Sequence, residues 1–445
     1  MSRLKTIAGT CQALARSLLE GPQEACAIGY AHRDPHSETW VLAEVQPVAA
    51  ADYAARGEFS AALHGAVLVE AANRARRDKM SPVFIHTHPF AIGTPSFSAI
   101  DDAGEREIKA YLERRAPGID ALAMVIGPGG LAARVLGEGR PVDVWDVGPN
   151  LVRLGGQDIG VLDERHDRQL RAFGPEGQRA IGKVRYLVIG AGGTGSATLQ
   201  QLAYLGAHDV TIIDPDRIEA TNLNRLLGAV PGDVGQFKAE VARENFLAIN
   251  PEARVEAIVG DIVDELQARR ITGHDLVFLC TDSHASRAVV GQAAYQFLVP
   301  AIDMGVSISV RGGAVTHLTG RVQMLTPGLP CLTCTGALDG EQIRREMLTP
   351  EQRAADPYVI GGHAPQPAVV SLNSTVASLA MTMMLGAVTS IPADARFQYY
   401  DGRSGKVRPT AAAMREHCVV CSADGALARG ASWSLPVRPE APRHV

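Results

Sequence analysis

The sequence has few cysteines, no excess of positive charge and no long apolar run free of polar residues. Seven cysteines among 445 residues are too few for a disulfide scaffold, which favours a reducing compartment and makes the cytoplasm the expected location. Lys and Arg total 43 against 48 Asp and Glu, and the net charge of -5 argues against nucleic acid or an anionic membrane surface as the main partner. The hydrophobic share of 46% is that of an ordinary globular protein.

Two apolar segments raise the question of a signal peptide or a membrane span. In residues 1–19, Gln12 and Arg16 interrupt the apolar run before a secretory core forms, so we predict an amphipathic helix. Residues 368–391 are longer and more apolar, but several Ser, Thr and Asn side chains interrupt them. We therefore predict a buried core helix there and no membrane partner.

The length predicts at least two domains, because 445 residues are about three times the ~150 residues of an average domain. Residues 1–140 mix short strands with helices and predict a small α/β core. Residues 165–425 alternate strand and helix, the pattern of a Rossmann-like, doubly wound parallel sheet. Between them, 141–164 is rich in Gly, Asp and Pro and is predicted as a linker, and 426–445 is predicted as a flexible tail.

Local patterns predict the elements of both domains. In the first, helices are expected at 59–80 and 101–115, and strands at 25–30, 39–45, 83–86, 121–126 and 131–136. In the second, strands are expected at 184–189, 209–213, 254–259 and 276–280, with helices at 195–205 and 236–249.

The first domain carries a set of side chains suited to a catalytic metal. His86 and His88 lie one residue apart at a predicted strand end, where alternation points both imidazoles to one face. Asp101 follows at the start of a helix, and two His with one Asp leave the fourth zinc position for water. Glu24, at the head of another strand, is the best-placed general base. The alternative is that the histidines are ordinary strand-end residues and Asp101 only a helix cap.

The set Glu24, His86-Thr87-His88-Pro89 and Ser98-x-x-Asp101 resembles the JAMM (JAB1/MPN/Mov34) metalloprotease family over the first 140 residues. The resemblance implies that His86, His88 and Asp101 bind catalytic zinc, that Glu24 takes the proton of the attacking water, and that Ser98 stabilises the oxyanion. The bond cut would be a peptide or isopeptide bond after the Gly-Gly end of a ubiquitin-like protein.

The spacing departs from the family pattern in one place. The segment from Pro89 to Ser98 is two residues longer than usual. Ser96 would restore the spacing, but Ala99 then stands where the aspartate belongs. Ser98 and Asp101 keep the Ser-x-x-Asp phase, and Asp102 is the fallback ligand.

The second domain opens with a glycine loop, Gly190-Ala191-Gly192-Gly193-Thr194-Gly195, between a strand and a helix. Such a loop lets the backbone approach phosphates at a helix N-terminus. Asp214 ends the next strand, where a carboxylate binds ribose hydroxyls. On these features alone, an NAD-dependent oxidoreductase would fit.

The residues that follow favour adenylation. Arg225 and Lys238 place two cations where charge builds on a triphosphate attacked at its α-phosphorus, which hydride transfer does not need. Asp282 ends the fourth strand, where a carboxylate can hold magnesium. Taken singly, Arg225 and Lys238 could equally belong to a solvated helix face.

Residues 165–422 resemble the ThiF/MoeB and ubiquitin-activating adenylyltransferase family. The resemblance rests on the segment Arg165-His166-Asp167-Arg168-Gln169, the glycine loop and the polar residues after it. It implies that ATP and magnesium are bound by Gly190, Gly192, Gly195, Asp214, Asn222, Arg225, Lys238 and Asp282. The C-terminal glycine of a ubiquitin-like or sulfur-carrier protein would attack the α-phosphate, and Arg168 would reach the partner subunit's site in a homodimer. Leu226 replaces a glutamine common in the family.

Four cysteines form two Cys-x-x-Cys pairs, Cys331 with Cys334 and Cys418 with Cys421. Together they predict a closed four-thiolate zinc clip, the alternative being two unrelated thiol pairs.

The other cysteines, Cys11, Cys26 and Cys280, leave no candidate for a thioester. Relatives with a thioester cysteine carry it in the segment that here spans 335–370, which has Tyr358–His363 and no cysteine. The acyl-adenylate would therefore be the end product, or would pass to a thiol on another protein such as a ubiquitin-conjugating-type enzyme.

Both resemblances converge on one partner, a ubiquitin-like protein ending in Gly-Gly. The predicted protein is a fusion that activates this partner with ATP and also processes or removes it. The two alternatives are the oxidoreductase and a catalytically silent scaffold that only binds the partner.

Overall fold

The computed structural model describes residues 2–155, 163–349, 352 and 367–438. It divides the chain into two compact units. The first comprises Met1–Asp158 and Ala428–Trp433, and the second comprises Ile159–Leu427 and Ser434–Val445.

The first unit is built on an eight-stranded mixed sheet with the order β10-β9-β1-β3-β2-β6-β7-β8. Its strands are β1 (Ser2–Ile7), β2 (Cys26–Arg33), β3 (Thr39–Pro47), β6 (Ser81–Thr87), β7 (Leu122–Gly127), β8 (Gly130–Val135), β9 (Val142–Val147) and β10 (Leu151–Leu154). A separate hairpin consists of β4 (Tyr53–Arg56) and β5 (Ala61–Leu63). The helices are α1 (Thr10–Leu18), α2 (Gly65–Asp78) and α3 (Ala99–Arg115).

The prediction of one helix over residues 1–19 is wrong for its first half. Residues 2–7 form β1, which pairs in parallel with both β3 and β9, and only α1 is helical. Arg3 and Lys5 are buried within this strand. Successive residues of β1 point to opposite faces of the sheet and nearly all are buried, so the strand lacks the alternation of apolar and polar residues that would have revealed it.

Two other stretches form strands that local patterns did not reveal. The predicted linker, 141–164, contains β9 and β10, and Trp145 of β9 is buried in the sheet. The helix expected from residue 59 begins only at Gly65, because β5 precedes it. Both strands of the hairpin are short and largely exposed, so they lack the alternation that marks a strand.

The second unit is built on an eight-stranded sheet with the order β13-β12-β11-β14-β15-β16-β17-β18. Its strands are β11 (Arg185–Ile189), β12 (Asp209–Ile213), β13 (Arg254–Ile258), β14 (Leu276–Leu279), β15 (Ala301–Arg311), β16 (Ala314–Leu325), β17 (Phe397–Asp401) and β18 (Lys406–Pro409). The helices are α4 (Asp167–Lys183), α5 (Gly193–Leu205), α6 (Lys238–Ile249), α7 (Glu265–Arg269), α8 (His284–Gln296), α9 (Gly340–Glu346) and α10 (Val370–Val388).

The five strands from β13 to β15 are parallel, as predicted from the alternation of strand and helix. Chain order runs outward from β11 to β12 and β13, and then resumes on the other side with β14. The connection therefore reverses between β11 and β14. Ligands of doubly wound sheets bind at the carboxyl ends of the strands beside such a reversal.

Helix α10 is the buried core helix predicted for residues 368–391. It packs on α5 and on strands β15 and β16. By length and hydropathy it is the one helix in the described part of the chain that could span a membrane, and more than half of it is buried. Its packing within the second unit accounts for its apolar composition.

The described part of the predicted flexible tail, residues 426–438, is packed. Ala426 is fully buried, and Arg438 bonds to Asp264 at 2.6 Å and Asp261 at 2.9 Å within the second unit. A short 3₁₀ helix, Gly430–Ser432, packs against β2 within the first unit. Proline-rich composition did not predict these contacts because they join residues far apart in sequence.

Candidate functional site

Two histidines and an aspartate of the first unit meet at the end of β6. His86 lies near the end of this strand, His88 follows it, and Asp101 lies in the first turn of α3. His86 Nε2 is 3.1 Å from Asp101 Oδ1 and 3.2 Å from His88 Nε2. His88 Nε2 is 3.5 Å from Asp101 Oδ2. Alternation along the strand thus brings both imidazoles to one place, as predicted.

This donor set fits a zinc ion. Tetrahedral zinc with bonds of about 2.0–2.1 Å needs ligand atoms about 3.3 Å apart. The two imidazole nitrogens are 3.2 Å apart, and they lie 3.1 and 3.5 Å from the two different oxygens of Asp101, which are separations close to that value. Three protein ligands also leave one position open, which is typical of catalytic zinc.

The first turn of α3 orients Asp101. The Ser98 hydroxyl accepts a hydrogen bond from the Asp101 N–H at 3.2 Å, and the Ser98 N–H donates to Asp101 Oδ2 at 2.6 Å. Burial opposes ionisation of Asp101, but the hydrogen bond with His86 and the charge of that ring hold its pKa below the ordinary value. The motif is therefore a helix capping box that also aims a carboxylate at the histidines.

The two neighbouring alternatives are engaged elsewhere. Asp102, the fallback ligand, pairs with Arg134 at 2.7 Å and does not belong to the group of three ligands. Ser96 contacts the His88 ring through its backbone. A backbone contact of this kind orients a metal-binding imidazole.

Glu24, the predicted base, lies beside the three ligands. It is only 7% exposed, and its Oε1 is 3.8 Å from His88 Nε2. Burial raises its pKa. Its N–H donates to the Gly57 carbonyl at 2.8 Å, and Arg56 Nε donates to its carbonyl at 2.7 Å. The β4–β5 hairpin therefore holds the backbone of this residue on both sides.

Thr87 is a positioning residue that the sequence reasoning missed. It is fully buried between the two histidines, and its hydroxyl accepts a hydrogen bond from the Ala25 N–H at 2.8 Å. Its own N–H donates to the Ala25 carbonyl at 3.0 Å. These bonds hold the segment that leads from Glu24 into β2 against the strand of the histidines. Its place between two ligands on a strand could have revealed it, because it must face the opposite side.

A cavity of about 310 Å³ adjoins the cluster. Glu24, His86 and Asp101 line one side, and the rest of the wall is mainly apolar, including Ile28, Leu68 and Phe84. A few converging polar groups at the wall of an apolar cavity are typical of a ligand site.

The glycine loop of the second unit lies between the ends of three strands. The Gly190 N–H donates to the Ile213 carbonyl of β12, and Thr194 Oγ1 donates to the Cys280 carbonyl after β14. Gly190 has a φ of 89°, and a Cβ on Gly195 would lie 1.8 Å from the Gly190 carbonyl oxygen. Both positions therefore require glycine. The loop sits at the topological reversal and opens α5.

Asp214 is tied to the glycine loop. It is 4% exposed, and its two oxygens accept the N–H groups of Ala191 at 2.7 Å and Asp216 at 2.8 Å. Burial raises its pKa. Each carboxylate oxygen retains a second lone pair, so binding to ribose hydroxyls stays compatible with these bonds.

The two predicted cations flank this loop. Arg225 lies beside the loop, with its Cδ 3.5 Å from the position of a Cβ on Gly193, and its Nη1 donates to the Thr221 carbonyl. Lys238 Nζ binds Asp216 Oδ2 at 2.7 Å. Asn222 is buried, and its Oδ1 caps the Glu219 N–H.

Asp282 lies two residues after Cys280, whose carbonyl contacts the glycine loop, and it is exposed. Arg287 holds this turn from α8, donating from Nη1 to the Asp282 carbonyl at 3.1 Å and from Nε to Asp303 Oδ1 at 3.0 Å. Asp303 is fully buried and also pairs with Arg321. Sequence reasoning missed this ion cluster, since its members lie on three different elements.

Two other residues were singled out in the sequence. Arg168 is exposed in the first turn of α4. Leu226 is buried with Ile218 and Val241, so an apolar cluster accounts for a leucine at this position.

The four cysteines of the two Cys-x-x-Cys pairs come together in the second unit. The four sulfur atoms all lie within 4.8 Å of one another. The distance between the sulfurs is 3.5 Å for Cys331 and Cys418, and also 3.5 Å for Cys334 and Cys421. Zinc bonds of about 2.3 Å place sulfurs about 3.8 Å apart, whereas a disulfide needs about 2.05 Å. A hydrogen bond from Cys421 lowers the pKa of Cys331 to about 5. This set fits structural zinc, as predicted.

The three remaining cysteines are all buried. Burial raises the pKa of Cys280 to about 12, and those of Cys11 and Cys26 to about 11. Such thiols stay protonated and are poor nucleophiles. The segment Tyr358–His363 lies outside the described residues.

Comparison with known proteins concerns mainly the second unit. A family model described as "ThiF family" matches residues 166–421. The molybdopterin-synthase adenylyltransferase of Salmonella typhimurium is 35% identical over 181 residues, which are 40% of this chain and 69% of that protein. The enzyme of the same name from Escherichia coli K12 is 30% identical over 261 residues, 58% of this chain and 95% of that protein. The SAMP-activating enzyme E1 of Haloferax volcanii is 27% identical over 256 residues, 57% of this chain and 85% of that protein.

Proposed function

Because the chain belongs to the ThiF family, we propose that it is an E1-like adenylyltransferase that activates the C-terminal glycine of a ubiquitin-like or sulfur-carrier protein with ATP and magnesium. We propose a second activity for the first unit, a JAMM-type zinc peptidase that processes or releases the same carrier. The first proposal depends chiefly on one observation: the glycine loop, Asp214 and Arg225 meet where the sheet reverses its strand order.

The names of the relatives support the substrate class. Two are molybdopterin-synthase adenylyltransferases and a third is a SAMP-activating enzyme E1. We infer that the carrier of this chain is likewise a small protein whose terminal carboxylate is the nucleophile.

The residues suit in-line attack on the α-phosphorus. A carboxylate oxygen of the terminal glycine forms a bond to that phosphorus, and the bond to the bridging oxygen breaks, releasing pyrophosphate. Arg225 and Lys238 stabilise the negative charge that builds on the phosphate oxygens. Asp282 would hold magnesium, which neutralises further phosphate charge. Lys238 Nζ lies 2.7 Å from Asp216 Oδ2, and it would leave this carboxylate to bind phosphate.

Pyrophosphate exchange tests this activity. The protein, with a carrier ending in Gly-Gly, should exchange labelled pyrophosphate into ATP, and Arg225→Ala and Lys238→Ala should each lower the rate about 10²-fold or more. Arg254→Ala is the matched control, since the side chain is 75% exposed and pairs only with Asp209 among the described residues.

Exchange, carrier binding and thermal protection by nucleotides together separate the two alternatives. No exchange with any Gly-ending carrier, together with stable carrier binding, would favour a silent scaffold. Thermal protection by NAD and not by ATP would favour an oxidoreductase.

The peptidase proposal is supported by the fit of His86, His88 and Asp101 to zinc. Zinc in such a site activates water and polarises a carbonyl group. Glu24, beside the ligands and held by its backbone, would take the proton from the attacking water and pass it to the leaving amine. The Ser98 hydroxyl accepts the Asp101 N–H and also hydrogen-bonds to the Asp101 carboxylate, and it would turn its proton from this carboxylate to the developing oxyanion.

A carrier with a short extension after Gly-Gly tests the peptidase. Zinc-loaded protein should release the extension and so expose the carboxylate that the adenylation step needs. An uncleaved extension, with zinc present in the first unit, would remove the peptidase from the proposal and leave the adenylation intact.

We also propose that the acyl-adenylate is the product or passes to a thiol on another protein, such as a ubiquitin-conjugating-type enzyme. The buried state of Cys11, Cys26 and Cys280 supports this, because none offers a reactive thiolate. A homodimer in which Arg168 completes the partner's site is proposed on its exposure at the start of α4. The need to keep the thiols reduced supports a cytoplasmic location.

A further inference from the structure

Helix α10 brings an asparagine to the glycine loop. Asn373 lies in the first turn of this helix and is 5% exposed. Its backbone N–H bonds to the Val369 carbonyl, but its side-chain amide has no hydrogen-bond partner among the residues that the structure describes. The residue is buried, yet its amide is not among the fully buried unpaired polar atoms of the described residues, so the amide retains access to solvent and can meet a ligand.

The amide points at the backbone of the loop. A Cβ on Gly193 would lie 2.1 Å from Asn373 Nδ2 and 3.5 Å from Arg225 Cδ. The amide therefore occupies the space that only a glycine leaves open, beside the proposed catalytic arginine. Gly193 is the first residue of α5, whose N-cap, Gly192, has no side chain to cap the free N–H groups. The N-terminus of α5, the amide of Asn373 and the Cδ atom of Arg225 thus lie about one point.

An anion explains this arrangement better than packing does. Val369, the N-cap of α10, also provides no side-chain hydrogen bond, so a second helix begins uncapped nearby. Among the described residues, two helix starts without a side-chain cap and one amide donor without a protein partner therefore lie close together. An oxygen ligand would satisfy them together.

The order of groups along the loop indicates which anion. Asp214, the ribose ligand of the proposed function, bonds to the Ala191 N–H. Gly193 comes two residues later, so the phosphate attached directly to the ribose is the one that would lie beside it. We propose that Asn373 is a catalytic residue whose amide donates a hydrogen bond to an α-phosphate oxygen of ATP. This inference rests on the adenylation proposed above and adds a residue to it.

The chemistry gives Asn373 a role in the transition state. When the carboxylate attacks, charge on the non-bridging α-phosphate oxygens rises before pyrophosphate leaves. A fixed neutral donor stabilises that charge and, unlike a second cation, does not repel Arg225.

A series of nucleotides tests the assignment by thermal unfolding. Adenosine, AMP, ADP and ATP differ in their phosphates, and each raises the midpoint in proportion to its affinity. In Asn373→Ala, the shift with adenosine should be unchanged, whereas the shift with AMP should already be smaller. A loss that appears first with ADP or ATP would refute the assignment to the α-phosphate. Equal shifts in variant and wild type for all four ligands would refute phosphate binding.

Kinetics and stability separate this role from a structural one. Asn373→Ala should lower the rate of pyrophosphate exchange about 10²-fold and leave the KM for the carrier within about twofold of the wild-type value. Asn373→Asp should lower the exchange rate further, because the new carboxylate repels phosphate. Without ligand, Asn373→Ala should unfold within about 2 °C of wild type, because the amide makes no hydrogen bond to the described residues that the change would remove. Ser378→Ala, at an exposed position of α10, is the matched control.

Two results would overturn the inference. A raised KM for the carrier with unchanged nucleotide shifts would assign Asn373 to the carrier carboxylate instead. A large fall in the unliganded midpoint, with exchange lost in proportion, would assign it to packing. The nucleotide series needs no carrier, so it stays informative if the wild type proves inactive in exchange and the proposed function fails.

Discussion

Replacement of Glu24 by glutamine should abolish peptide cleavage and leave zinc in place. Glu24 Oε1 lies 3.8 Å from His88 Nε2, and the residue does not belong to the three-ligand group. The change preserves the size of the side chain and the backbone bonds to Gly57 and Arg56, and removes only the basic oxygen. The assay is cleavage of a carrier extended beyond Gly-Gly, with zinc measured on the same sample.

The structure sets the size of the effect. General-base catalysis contributes about 10²- to 10⁴-fold. Among the described residues of the cluster, the other carboxylate is Asp101, which already caps α3 and contacts His86. No second base can replace Glu24 there, so we expect a loss of about 10³- to 10⁴-fold, or about 4–5.5 kcal/mol of transition-state stabilisation.

Zinc content distinguishes a base from a ligand. The described residues include two groups suited to zinc, so wild type and Glu24→Gln should each hold two ions at these groups, and Asp101→Asn should keep only the one at the cysteines. Asp102→Asn should keep both, since Asp102 pairs with Arg134. Exposed Glu107→Gln is the control for cleavage. Cleavage within tenfold of wild type in Glu24→Gln, or loss of one zinc ion from it, would refute the assignment.

The remaining predictions concern the second unit. If Arg168 acts across a dimer, mixing inactive Arg168→Ala and Arg225→Ala proteins should restore part of the exchange activity, and no recovery after subunit exchange would contradict this. Cys421→Ser should release one zinc ion and lower the free energy of unfolding by several kcal/mol, which urea titration would measure. The loss cannot exceed the binding free energy of a structural zinc ion, about 10–16 kcal/mol. Arg287→Ala should lower the free energy of unfolding by about 3–5 kcal/mol, because the buried carboxylate of Asp303 loses one of its partners. The same variant should need a higher magnesium concentration for exchange, because Arg287 also holds the Asp282 carbonyl. An unchanged magnesium requirement would argue against this role at Asp282. Cys280 should resist alkylation in the native protein at pH 8, because its pKa of about 12 keeps the thiol protonated, and Cys280→Ala should retain exchange; rapid labelling would contradict this.

Local patterns identified much of both candidate sites. A two-residue period is enough to predict that His86 and His88 share a face, and a glycine loop between a strand and a helix is enough to predict an anion site. The two Cys-x-x-Cys pairs likewise predict a four-sulfur cluster, because each pair can supply only half of a tetrahedron. In these cases the chemistry depends on neighbours within a few residues.

Tertiary structure determined which residues from distant parts of the chain lie beside these local groups. The register of β2 against β6 brings Glu24 to the histidines across more than sixty residues, and the buried Thr87 secures it. The capping of α3 selects Asp101 over Asp102. Asn373 reaches Gly193 only because α10 packs on α5. The amino-acid sequence shows directly which side chains share a face of one element, whereas strand register and helix packing depend on burial summed over the whole core.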